Sequence, residues 1–179
     1  MILAIDPGSR AMGIAMLDAA GKPLACVPLI ASLSPGQRSD ALERLSALRR
    51  RLDALVAEHG VPDGPDVTLV VEHLQGHAVN PAPTLEFWIL CLRQWAKQHR
   101  WQHREYSPQQ WRQVVAVKGA PTPTKADVRF WLLSLYPHLR QMADGAGGMD
   151  ALEALGLALH AHDVLRIEAA AGRVTNGKG

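Results

Sequence analysis

At 179 residues, with 47% hydrophobic and 20% charged residues and a net charge of +2, the chain has the make-up of one globular domain with a proper core. No run of 18 apolar residues offers a transmembrane helix, and the opening Met1-Ile2-Leu3-Ala4-Ile5-Asp6 meets an acid where a signal peptide carries basic residues. Two cysteines, Cys26 and Cys91, make neither a disulfide framework nor a zinc motif, so a cytoplasmic protein with reduced thiols is expected, with no membrane partner.

In chain order, Ile2 to Ile5 is a short apolar run closed by Asp6-Pro7-Gly8, a strand and a turn. Gly13 to Leu17 reads as its hairpin partner, and Leu24 to Ser32 as a third strand. From Arg38 to His59 the period becomes helical: Ala41, Leu45, Leu48, Leu52 and Leu55 share one face, and Gly60-Val61-Pro62 stops the helix. Val67 to Glu72 is an unbroken apolar run with one acid at its end, the pattern of a strand buried on both faces.

A helix over Leu85 to His99 carries Leu85, Trp88, Leu92 and Trp95 as a stripe that suits a core or a dimer seam, and Trp101 to Tyr106 is a fifth strand. Ser107-Pro108-Gln109-Gln110 has the N-cap serine, first-turn proline and third-position glutamine of a helix start. Thr124 caps another helix from Lys125 to about Tyr136, and a last helix runs from about Asp150 to Glu168. Trp101 and Trp111 border a basic stretch where they could touch a nucleic acid, and core packing is the reading favoured for both. The expected domain spans 1–170, with 171–179 a flexible tail.

Three antiparallel strands extended by parallel ones through helical crossovers make a mixed-sheet α/β fold, in the order found in ribonuclease H-like folds: a five-stranded sheet flanked by helices. Charge is uneven along it. From Arg93 to Arg140 nine basic residues face two acids, a surplus of seven, and the rest of the chain is acidic. A polyanion-binding face and a set of ordinary solvated helix faces both fit that pattern.

Four acids could do chemistry. Asp6 closes strand one and Glu72 closes strand four, so if those strands are neighbours both carboxylates emerge at one sheet end. Asp150 and Glu153, three apart, share a face in the first turn of the last helix. Carboxylates gathered at one spot repel unless a cation sits between them, and an all-oxygen set favours Mg²⁺ or Mn²⁺. Two such ions roughly 3.5–4 Å apart can activate a water and stabilise a leaving oxygen in phosphodiester cleavage. Asp144 is a reserve ligand. Taken singly, Asp6 also suits a turn, and Asp150 and Glu153 suit a helix N-terminus.

With these acids in view, four segments are familiar. Ile2-Leu3-Ala4-Ile5-Asp6-Pro7-Gly8-Ser9-Arg10 with Gly13 resembles the opening of the RuvC family of Holliday-junction resolvases, and Val70-Val71-Glu72-His73 resembles its second acidic strand. Tyr106-Ser107-Pro108, Arg112, Val114-Val115, Gly119 and Lys125 resemble a later segment of that family, and Asp150-Ala151-Leu152-Glu153 its closing acidic helix. The resemblance implies a ribonuclease H-like fold and a homodimeric, divalent-metal endonuclease that nicks four-way DNA junctions symmetrically, leaving 5′-phosphate ends. Asp6, Glu72, Asp150 and Glu153 would be the catalytic, metal-binding acids, serving two Mg²⁺ or Mn²⁺ ions per site. Arg112 and Lys125 would meet DNA phosphates, and charge adds Lys118 to them.

The chain departs from the family in three places. Glu153 stands where the family usually has Asp. Gln75 stands where it commonly has an aromatic residue that stacks at the junction centre, which makes Gln75 the junction-centre candidate here. The loop Gly119 to Pro123 is about two residues longer. Two alternatives follow: a nuclease for other branched DNA, such as flaps or forks, and a non-catalytic junction-binding protein of the same fold. Any branch-migration machinery that would work with it is unidentified.

Overall fold

The computed structural model describes residues 1–8, 11–31, 41–73, 83–115 and 123–176. Five strands form one sheet: β1 (Ile2–Asp6), β2 (Ala11–Leu17), β3 (Pro23–Ile30), β4 (Thr68–Glu72) and β5 (Gln102–Tyr106), in the order β3-β2-β1-β4-β5. β2 pairs antiparallel with β1 and β3, whereas β4 pairs parallel with β1 and with β5. The mixed five-stranded sheet of a ribonuclease H-like fold is thus the one built. α1 (Ala41–Glu58) and α2 (Pro83–Gln98) carry the chain from β3 to β4 and from β4 to β5.

After β5 come α3 (Pro108–Trp111), a 3-10 turn (Arg112–Val115), α4 (Lys125–Leu135), a second 3-10 turn (Pro137–Leu139), α5 (Arg140–Ala143) and α6 (Gly148–Asn176). Both expected caps form as full capping boxes. Ser107 accepts from the Gln110 backbone N–H while the Gln110 side chain accepts from Ser107, and Thr124 pairs with Asp127 in the same way. α6 runs further than the Asp150–Glu168 read from periodicity, and the turns and short helix between Pro137 and Ala143 carry no apolar period that would announce them.

Strand alternation divides the core into two layers. Leu3 and Ile5 point to one face of the sheet with Met12, Ile14, Met16, Leu69 and Val71, where α1 and α2 cover them with Leu48, Leu52, Trp88, Leu92 and Trp95. Ile2 and Ala4 point to the other with Ala15, Leu17 and Val70, under Leu152, Leu155 and Ala158 of α6 and Val128 and Leu132 of α4. The stripe on α2 is therefore core, and Phe87 and Leu90 lie on its outer side. Trp101 is core as well, stacked on His99 and donating its indole N–H to the Pro62 carbonyl at 2.8 Å. No helix among the described residues is long and apolar enough to cross a membrane.

Candidate metal centre

Parallel pairing of β1 with β4 runs in register from Ile2 opposite Thr68 to Ile5 opposite Val71, so the next residues, Asp6 and Glu72, leave the sheet side by side. On the other flank, Asp6 is paired with Gly13 of β2. A Cβ at Gly13 would lie 1.9 Å from the Asp150 carbonyl oxygen and 2.7 Å from the Ala151 nitrogen. Only a glycine lets the first turn of α6 press onto the strand there. The Cys26 thiol of β3 donates to the Ala151 carbonyl at 3.3 Å, a second tie between that turn and the sheet.

The result is a shared centre for residues far apart in sequence. Asp6, Asp150 and Glu153 each offer a carboxylate oxygen within 4.8 Å of the others. Glu153 is 1% exposed and Glu72 is 7% exposed. The Glu72 oxygens fall outside that three-acid group, yet Glu72 follows Val71 on the strand paired with β1 and so stands beside Asp6 at the same sheet end. Glu72 Oε2 accepts a hydrogen bond from the buried Trp111 indole at 2.7 Å.

Electrostatics match the geometry. Burial, and then the charges of Glu72, Glu153 and Asp150, hold Asp6 well above the usual carboxylate range, with Lys125 opposing them. Glu72 is pushed up by burial against the pull of the Trp111 hydrogen bond, and Asp150 is pushed up by burial against the pull of Lys125. Two cations answer the acids. Arg112 Nη2 donates to Glu153 Oε1 at 2.6 Å, and Lys125 Nζ donates to Glu153 Oε2. Burial works against the Lys125 ammonium, but its bond to Glu153 and the charges of Glu153 and Asp6 outweigh that and raise it. A buried, mutually repelling carboxylate set that draws in cationic side chains fits a hard divalent cation such as Mg²⁺ or Mn²⁺.

The other expected site residues are placed as follows. Gln75 and Lys118, and all but Pro123 of the loop Gly119 to Pro123, lie outside the described residues. Asp144, the reserve ligand, is away from the group and paired with Arg129. Among the described residues, five of the basic side chains between Arg93 and Arg140 are held by acids. Arg93 grips Glu105, Arg104 grips Glu168, and Arg129, Arg112 and Lys125 have the partners already named. Chain folding brings Glu153, Glu168 and Asp144 from outside the span onto four of these cations, so part of the surplus counted along the sequence is offset in space. Trp111 is the residue whose part in the site the sequence concealed. It reads as core and is core, but nothing in its neighbours shows that its indole meets Glu72.

No protein-family model matches the chain. Among curated proteins, it is 28% identical over 178 residues to the crossover junction endodeoxyribonuclease RuvC of Burkholderia multivorans, covering 90% of this chain and 83% of that one. The RuvC of Burkholderia vietnamiensis matches with the same identity and coverage. Among solved structures, Thermus thermophilus RuvC superposes with a TM-score of 0.62 at 20% identity, over 89% of this chain and 94% of that chain. T. thermophilus RuvC in complex with Holliday junction substrate superposes at 0.65 with 18% identity, over 93% and 95%. The solved structures share the ribonuclease H-like fold, the curated relatives share sequence along nine-tenths of the chain, and by both measures this chain is similar to the RuvC family of crossover junction endodeoxyribonucleases.

Proposed function

We propose that the chain is a divalent-metal-dependent DNA endonuclease of the RuvC kind that acts on four-way junctions as a homodimer. The observation that carries this reading is the meeting of Asp6, Asp150 and Glu153, with Glu72 beside them, at one end of a ribonuclease H-like sheet. Similarity to curated endonucleases and the fold shared with a junction-bound RuvC support the substrate class. The nuclease domain would span residues 1–170 and work in the cytoplasm.

In this reading Asp6, Glu72, Asp150 and Glu153 hold two Mg²⁺ or Mn²⁺ ions. Such ions supply Lewis-acid polarisation of the phosphodiester and a nucleophilic water at neutral pH. The protein's own part is to fix the acids before substrate arrives. β1 and β4 carry Asp6 and Glu72 on a rigid sheet, and the close seat of α6 on Gly13 carries Asp150 and Glu153. Lys125, with 59% of its side chain exposed against 17% for Arg112, is the cation better placed to meet a phosphate from solvent. Water attacks phosphorus in line and the 3′ oxygen leaves, giving 5′-phosphate and 3′-hydroxyl ends.

Two symmetric nicks need two copies related by a two-fold axis. The outer side of α2 exposes Phe87 at 48% and Leu90 at 57%, Phe87 shares a groove with Leu42 of α1, and this apolar side of α2 is the surface we assign to the second copy. The deciding experiment compares a labelled four-way junction with linear duplex, in Mg²⁺ and in Mn²⁺, for wild type and Asp6→Asn. Paired symmetric nicks that vanish in the variant support the proposal. Preferential cutting of flaps or forks would move the substrate to another branched DNA, and binding without cleavage in either metal would overturn the enzymatic reading.

A further inference from the structure

Two of the groups that hold the acids meet on one side chain. Trp111 ends α3, fully buried, and its indole N–H donates to Glu72 Oε2 at 2.7 Å. The guanidinium of Arg112 lies over the same ring, 5.3 Å from its centre, and reaches on to Glu153. On α6 the ring edge meets Gly156, where a Cβ would come within 2.7 Å of the indole Cζ3. The capping box of Ser107 and Gln110 sets the short helix that aims the indole.

This hydrogen bond does not follow from burial alone. Trp88 and Trp95, buried on the other face of the sheet, have indole N–H groups with no acceptor among the described residues. An apolar side chain in place of Trp111 would fill the same space between the sheet and α6 but could not hold a carboxylate. With Oε2 engaged by the indole, the other Glu72 oxygen is the one available to a cation. One ring thereby supports Glu72 through its edge and Glu153 through the arginine on its face.

We propose that Trp111 is a positioning residue of the metal centre, fixing Glu72 by its N–H and steadying Arg112 on Glu153 by its ring, and that Gly156 is the recess that admits it. Its effect on cleavage rests on the nuclease reading above; the positioning itself does not. A positioning group of this kind changes metal affinity or activity by about 10–100-fold when removed.

The test uses the full chain and two readouts. In ¹H–¹⁵N spectra the five tryptophans give five indole signals, and that of Trp111 is the one lost in Trp111→Phe. It should move in Glu72→Gln and stay still in Glu58→Gln, an exposed change at the end of α1 on the opposite face of the sheet. Trp111→Phe, which keeps a ring under Arg112, should cleave junctions about 10–100-fold more slowly and need more Mn²⁺, with junction affinity near wild type and a lower melting temperature that Mn²⁺ raises less. Gly156→Ala, which crowds the ring, should shift the same indole signal and raise the Mn²⁺ requirement, and it serves if Trp111→Phe does not fold. An indole signal indifferent to Glu72→Gln, or wild-type Mn²⁺ dependence in both variants, would overturn the proposal. If wild type cuts no branched DNA, the nuclease reading falls, while the indole shift and Mn²⁺-dependent melting still decide the role of Trp111.

Discussion

Gly13 and Asp150 touch backbone to backbone: a methyl group on Gly13 would sit 1.9 Å from the Asp150 carbonyl oxygen. Because Gly13 is also the β2 partner of Asp6, one missing side chain sets the approach of α6 to the acid at the end of β1.

Gly13→Ala must therefore push the first turn of α6 off the strand. Overpacking of this kind costs about 1–3 kcal/mol, and contact with backbone rather than a movable side chain puts this case at the upper end. The expected result is a lower melting temperature and a smaller rise in it on adding Mn²⁺ than the metal-centre proposal predicts for wild type. A variant that melts early yet keeps full Mn²⁺ stabilisation would show that the acids do not depend on this contact.

Asp6 gives a pH-dependent prediction. Its carboxyl is held above the usual range by burial and by the charges of Glu72, Glu153 and Asp150, so the folded protein keeps a proton that the unfolded chain releases. The stability this contributes is complete below the ordinary aspartate pKa and is lost as pH rises through the raised folded value. In chelator, Asp6→Asn should match wild type near about pH 4 and become more stable than it as the pH approaches neutrality. Mn²⁺ should reverse the order at neutral pH by binding the folded wild type only. Melting curves over pH, with and without Mn²⁺, check both signs.

Arg112→Ala removes one of two cations from a carboxylate that is 1% exposed. Stripping a partner from a buried ion pair costs about 3–5 kcal/mol, and because Lys125 remains, roughly 1–3 kcal/mol is expected. The loss should shrink when Mn²⁺ is added, since a metal ion would compensate the same charge. Denaturant unfolding with and without the metal measures it. By contrast, breaking the more exposed Arg104–Glu168 pair should leave stability almost unchanged.

Cys26 is a test of the seat of α6. Burial pushes its thiol up to about 12, so at pH 8 almost no thiolate is present in the folded protein. Alkylation there should be slow until the protein is unfolded. Fast labelling of Cys26 in Gly13→Ala would report that the turn bearing Ala151 has lifted away from β3.

How much of this could be read from the chain differs by element. β5, Gln102–Tyr106, carries no apolar pattern and was legible only from its place between two helices. Unbroken apolar runs placed β1 and β4 and a 3.6 period placed α1 and α2, because each buries apolar residues whose spacing is written in the sequence. The capping boxes of Ser107 and Thr124 were legible for the same local reason: donor and acceptor lie three residues apart. Pro137 to Ala143 was not, since its turns answer to packing beneath α4 and α6 rather than to a period.

The sequence by itself determined the order of the elements, the fold class and the four acids, since strand ends and the first turn of a helix are local positions. Tertiary structure decided what each acid meets. It gathered Asp6, Asp150 and Glu153, gave Glu72 to the Trp111 indole, and put Arg112 and Lys125 on Glu153. It also matched most of the described basic residues between Arg93 and Arg140 with acids. Apart from Asp150 and Glu153, which share a helix turn, these contacts join residues 12 to 147 positions apart, and their partners are chosen by strand register and by how closely α6 can approach Gly13. Side chains at such separations carry no mark of one another in a single sequence.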